Sequence, residues 1–118
     1  MNKNKVIFIL HKPQLSENIG ACARAIKNFN FQKLYLIDPK PIFPNDKILA
    51  TSVGAKDIIK KAKVFKTLEE SLDKYDILIA TSARFRNKNI KHIFYLYNVI
   101  LSFRKFRLRL IFFLYFYF

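Results

Sequence analysis

Four short apolar runs in the first eighty residues, each closed by turn or cap chemistry, constrain this chain more than any other feature. Val6-Ile-Phe-Ile-Leu10 is continuous rather than alternating, the pattern of a strand buried on both faces. Lys33-Leu-Tyr-Leu-Ile37 is a second strand closed by Asp38-Pro39, Lys63-Val-Phe65 a third, and Asp76-Ile-Leu-Ile-Ala80 a fourth. The intervening segments are helical. Pro13 ends the first run and Ser16 is placed to cap a helix. Along that helix Ile19, Cys22, Ala23, Ile26 and Phe29 recur at spacings of three and four, giving one apolar face. A short helix is expected over Asp46–Val53, stopped by Gly54. Thr67-Leu-Glu-Glu70 has the form of a capping box, opening a helix to about Lys74. Strands alternating with helices at these lengths give an α/β fold: a parallel sheet with helical crossovers. Ligands of such sheets bind beyond the carboxyl ends of the strands, so the loops of interest are His11–Glu17, Asp38–Asn45 and Thr81–Asn87.

With 118 residues the chain is one domain at most. Its two glycines, Gly20 and Gly54, exclude a G-x-G-x-x-G fingerprint and a P-loop. Cys22 is the only cysteine, and His11 and His92 have no ligand-like spacing, so neither a disulfide nor a metal cluster is expected. No Ser-His-Asp set is evident. The five apolar residues after Lys5 are too few for a signal peptide, and a cytoplasmic protein is expected. A net charge of +14, from 22 basic and 8 acidic residues, suits an anionic partner such as RNA. An AT-rich coding bias toward Lys, Asn, Ile and Phe would give similar counts.

The composition changes abruptly at Asn87. The last acidic residue is Asp76, and aromatic residues crowd the rest. We therefore divide the chain into 1–86, a compact body, and 87–118, a basic aromatic tail. Leu110–Phe118 has no polar alternation and reads as out-of-frame translation, with the high β-propensity of an aggregation-prone segment. Such a tail would also suit a membrane surface, although no run reaches the roughly 18 apolar residues of a spanning helix.

Two loop clusters carry candidate chemistry. In Glu17-Asn-Ile-Gly-Ala-Cys-Ala-Arg24, Asn18 and Gly20 fall in the first turn after a strand. Gly20 permits close approach of another backbone or of a ribose-phosphate. Arg24, one turn on, would clamp a phosphate or stabilise an oxyanion. Spacing alone favours the plainer reading of a solvated arginine on an amphipathic helix. In Thr81-Ser-Ala-Arg-Phe-Arg86, small hydroxyl residues at a strand's carboxyl end suit a ligand, and Arg84 and Arg86 flank Phe85 as RNA-binding residues often do. A solvated charged turn would have the same composition.

Gln14-Leu-Ser-Glu-Asn18-Ile-Gly20-Ala-Cys-Ala-Arg24-Ala-Ile-Lys-Asn28-Phe resembles motif 1 of the SpoU-class (SPOUT) RNA methyltransferases, N-x-G-x-x-x-R. Leu34–Pro39, Ala50–Ala55, Val64–Glu70 and Ala80–Arg84 follow in the order of that family, most similar to its TrmJ-like tRNA branch. The resemblance covers about residues 5–86. It implies transfer of a methyl group from S-adenosylmethionine to a ribose 2′-hydroxyl of tRNA, by a homodimer with a C-terminal knot. It implies catalytic roles for Arg24 and Asn18, cofactor contact by Thr81, Ser82 and Ala83, and RNA contact by Gly20, Arg84 and Arg86.

The Gly-rich second motif and the Ser-Leu-Asn-like third motif of the family have no counterpart after residue 86, where no glycine occurs. The expectation is the N-terminal part of such a domain, lacking the knot that holds most of the cofactor, inactive alone and doubtful as a dimer. No metal and no membrane association are expected. The alternative is a non-catalytic basic RNA-binding module, since residues 1–86 keep an excess of positive charge.

Overall fold

In the structure, a computed structural model, residues 2–72, 77–82, 99–103 and 110–115 are described, with side chains for residues 2–71. After a short 3-10 turn at Lys3–Lys5, the described elements are β1 (Ile7–His11), α1 (Ser16–Asn28), β2 (Leu34–Ile37), α2 (Asp46–Thr51), α3 (Lys56–Lys61), β3 (Lys63–Phe65), α4 (Leu68–Leu72), β4 (Ile77–Ser82), β5 (Val99–Phe103) and β6 (Leu110–Tyr115). They form a six-stranded sheet of order β3-β2-β1-β6-β4-β5. All neighbours are parallel except β5, which runs antiparallel to β4.

The apolar runs explain the core. Alternation along β1 and β2 sends Phe8, Leu10, Leu34 and Leu36 to one face, where they meet Ile19, Cys22, Ala23 and Ile26 of α1. Ile48 of α2 and Ile58 and Ile59 of α3 complete this cluster. The opposite phase holds Ile7, Ile9 and Ile37, which are also buried, as a doubly covered strand requires. Burying one such aliphatic side chain is worth about 1.5–3 kcal/mol, so this layer dominates the described part of the fold. Phe8 and Phe31 add an edge-to-face pair with centroids 5.2 Å apart. The β3 edge is blunted by exposed Lys63, whose ammonium lies 5.8 Å from the centroid of the Tyr35 ring.

Several expectations shift. Ser16 is the first helical residue rather than the cap. The cap position falls to Leu15, with no side-chain hydrogen bond, because the Ser16 hydroxyl accepts instead from Asn45 Nδ2 at 3.0 Å. The capping role is fulfilled at α2, where Asn45 Oδ1 accepts from the Ile48 amide at 2.8 Å. Asp46–Val53 is shorter than expected, ending at Thr51, and α3 follows after Gly54, whose φ of +76° requires glycine. At α4 the Glu70 carboxylate accepts from the Lys66 amide at 3.3 Å, one residue before the position a capping box would use. The sheet is not uniformly parallel, and two of its strands come from residues 87–118. One of them, β6, lies between β1 and β4.

Candidate functional site at the carboxyl edge and the α1 cleft

The carboxyl ends of β1, β2 and β3 are tied together by backbone. Lys12 and Asp38 both adopt left-handed backbone, with φ of 51° and 42°. These turns let the Lys12 amide donate to Ile37 O at 2.8 Å and the Asp38 amide to Phe65 O at 2.9 Å. The Lys40 amide then donates to Pro13 O at 3.0 Å, so the loops after β1 and β2 are joined. Non-glycine residues in this region carry local strain, and two of the three among the described residues, Lys12 and Asp38, stand at this carboxyl edge, the third being Asn30 after α1. His11 ends β1, and burial followed by Lys12 pushes its pKa down, opposed by Asp38 and Glu69.

The loop after β2 is pinned to the start of α1. Asn45 Nδ2 donates to both Ser16 Oγ and Ile42 O, and Lys47 pairs with Glu17 at 2.6 Å. The hydrogen bond from Lys47 holds the Glu17 carboxyl below its ordinary range. Asn18 sits half-buried in the first turn of α1. Gly20 is buried, and a Cβ there would stand 2.0 Å from Thr51 Oγ1 and 2.9 Å from the Thr51 carbonyl carbon. Of the two close approaches a glycine here permits, the structure contains that of a second backbone. Gly20 lets α1 and α2 touch, and the face expected to meet RNA is covered by Thr51.

Arg24 is exposed one turn beyond Gly20. It lines a cleft of about 410 Å³ with Lys27 and Asn28 of α1 and the turn Val53-Gly54-Ala55. Lys27 crosses to Asp57 on α3 at 2.6 Å, both side chains about half exposed. That hydrogen bond is the main reason the Asp57 carboxyl titrates low. Asn18 does not line the cleft; it lies six residues back, about 120° around the helix from Arg24. The arginine thus faces the α2–α3 turn rather than the side of α1 that carries Asn18. Lys27, Asn28 and the Val53–Ala55 turn lie in segments that resemble the family, but none was given a site role from the sequence. Their signal was Gly54, which reads there only as a helix stop.

Thr81 and Ser82 are the last two residues of β4 rather than loop residues. Register places Leu10 of β1 and Thr81 of β4 on either side of Leu114 of β6. One intervening strand puts the two carboxyl ends roughly 10 Å apart on the same edge. Ala83, Arg84 and Arg86 lie outside the described residues. Cys22 is buried in the helix core, and burial pushes its thiol up to about 11, so it is an inert core residue at neutral pH. Among the described residues no group of three His, Cys, Asp or Glu is placed to hold a metal, and no helix is long and apolar enough to cross a membrane.

A mostly parallel sheet, the helix after β1 carrying Asn18, Gly20 and Arg24, and hydroxyl residues ending β4 define the class: an α/β domain with helical crossovers. The profile of the SpoU rRNA methylase family matches residues 5–105, and the chain belongs to that family. It is 36% identical over 89 residues to the tRNA (cytidine-2′-O-)-methyltransferase TrmJ of Methanocaldococcus jannaschii, covering 75% of this chain and 38% of that protein. It is 42% identical over 85 residues to the tRNA/rRNA methyltransferase LasT of Escherichia coli, covering 71% of this chain and 36% of LasT. The crystal structure of TrmJ from Z. mobilis superposes with a TM-score of 0.67 at 36% identity, covering 71% of this chain and 38% of that one. The chain therefore spans well under half the length of these relatives.

Proposed function

We propose that this chain provides the motif-1 part of an S-adenosylmethionine-dependent ribose 2′-O-methyltransferase acting on tRNA in the cytoplasm. The observation that carries the reading is Arg24, exposed at the mouth of a cationic cleft on the helix that follows β1. A guanidinium stays protonated, so Arg24 does not act as a base. It would bind a substrate phosphate and stabilise the negative charge that grows on the ribose 2′-oxygen as its proton passes to solvent water. Bound S-adenosylmethionine supplies the methyl electrophile. The donor chemistry of Thr81 and Ser82, hydroxyl residues ending β4 at the ligand edge, fits contact with that cofactor, with Ala83 beyond them. Arg84 and Arg86 would extend the RNA contact. Asn18 shapes the site across a homodimer, which agrees with its lying away from the Arg24 cleft of its own chain.

The change of composition at residue 87 supports a boundary between a methyltransferase part, 1–86, and a basic aromatic segment, 87–118, while the family profile runs on to residue 105 and β5 and β6 join the sheet. On this reading the chain binds RNA through α1, and it spans 38% of the length of the TrmJ relative. The test is a chimera in which residues 5–86 replace the matching segment of a TrmJ relative. Transfer of labelled methyl to tRNA should persist in the chimera and fall about 100-fold or more with Arg24→Ala. A folded chimera that binds tRNA but transfers at the same rate with and without Arg24 would overturn the assignment.

A further inference from the structure

We propose that the cleft between α1 and the Val53–Ala55 turn holds a second RNA phosphodiester, beside the one that Arg24 engages. Lys27 and Asn28 would be its ligands, and Asp57 sets affinity by competing for Lys27. The inference rests on the RNA reading above and assigns to that site residues that motif 1 does not.

The cleft is the right size and sign. Its volume of about 410 Å³ admits a ribose-phosphate, and Arg24 and Lys27 are the charged residues lining it. Positions 24, 27 and 28 stand one turn apart on one face of α1, so a cation, a cation and an amide project side by side. Opposite them, nothing comes within 4 Å of where a Gly54 Cβ would be, so this wall is open backbone that a sugar can approach. Val53, 70% exposed, offers a small apolar surface to the ribose beside it. Asp57 already occupies the anion position on Lys27, at 2.6 Å. An exposed ion pair of this kind is worth little, so a phosphodiester displaces the carboxylate readily. The pair keeps Lys27 aimed across the cleft while RNA is absent.

The experiment measures binding of a fluorescein-labelled RNA hairpin to the full chain across a salt series, with thermal melts to verify folding. Lys27→Gln should weaken binding roughly five- to tenfold at 0.1 M salt and lower the salt slope by about one. Asp57→Asn should tighten binding about two- to fivefold, and this gain should vanish when Lys27 is already Gln. Equal tightening by Asp57→Asn in both backgrounds would mean a general field effect and would overturn the proposal. So would a Lys27→Gln effect no larger than that of Lys60→Gln on α3. Binding by the parent chain with neither pattern removes the subsite and leaves the RNA reading standing. Absence of binding by the parent chain removes both.

Discussion

The two halves of the sheet are built by different rules. In β3-β2-β1 with α1, α2 and α3, each strand pairs with one joined to it by a single crossover, and the buried aliphatic residues are spaced to meet. In β6-β4-β5 the neighbours are about as near along the chain, but β5 is antiparallel, and β6 also pairs with β1 across about a hundred residues. Local crossovers make the first half self-consistent from sequence pattern alone, whereas the second is joined to it through the long-range β1–β6 pairing, which covers two edges at once. The candidate chemistry of α1 lies in the first half and that of β4 in the second, and β6 is the strand that joins them.

The strongest way to break this comparison is to end the chain after residue 86. Loss of β6 leaves β1 and β4 each with an unpaired edge, and the expected result is aggregation on size-exclusion chromatography rather than a monodisperse, cooperatively melting protein. A stable monomer would mean that the second half contributes nothing to the first. Next in size, Leu36→Ala removes a fully buried side chain from the locally paired core and should cost about 2–5 kcal/mol in urea unfolding. Gly20→Ala should cost about 1–3 kcal/mol, because its Cβ meets Thr51. Thr51→Ala in that background should restore only part, since the Thr51 backbone still stands within 2.9 Å. Asn45→Ala, which removes the α2 cap and the link to Ser16, should cost about 1 kcal/mol.

Alkaline pH gives a further measure of the first half. Burial raises the Cys22 thiol from its ordinary value of 9.0 to about 11 in the fold. The unfolded chain therefore loses that proton first, and stability present below pH 9 is lost as pH rises toward 11. The effect is at most about 3 kcal/mol. It should disappear in Cys22→Ala, measured as the difference in urea midpoint between pH 8 and pH 10.5.

What the sequence made legible follows the same division. β1, β2, β3 and α1 lie within a residue or two of their expected limits, because apolar periodicity and the punctuation of Pro13, Asp38 and Gly54 mark them. α3 escaped notice, since Lys-Asp-Ile-Ile-Lys-Lys carries one apolar pair and no repeat from which to read a helical period. β5 and β6 were not expected as sheet strands because the change of composition at Asn87 reads as out-of-frame sequence, and nothing local states which partner they pair with. Motif 1 was legible as spacing, but its orientation was not. Only packing shows that Gly20 is filled by Thr51 and that Arg24 shares a cleft with residues almost thirty positions onward.

The central claim, that RNA is engaged by α1 and the turn it faces, is tested most directly by amide hydrogen exchange of the full chain with and without tRNA. The account predicts slowed exchange confined mainly to peptides spanning residues 16–28 and 52–57, with little change along the lysine-rich edge at 60–66. Protection centred on residues 60–66, or spread evenly over every basic segment, would contradict it.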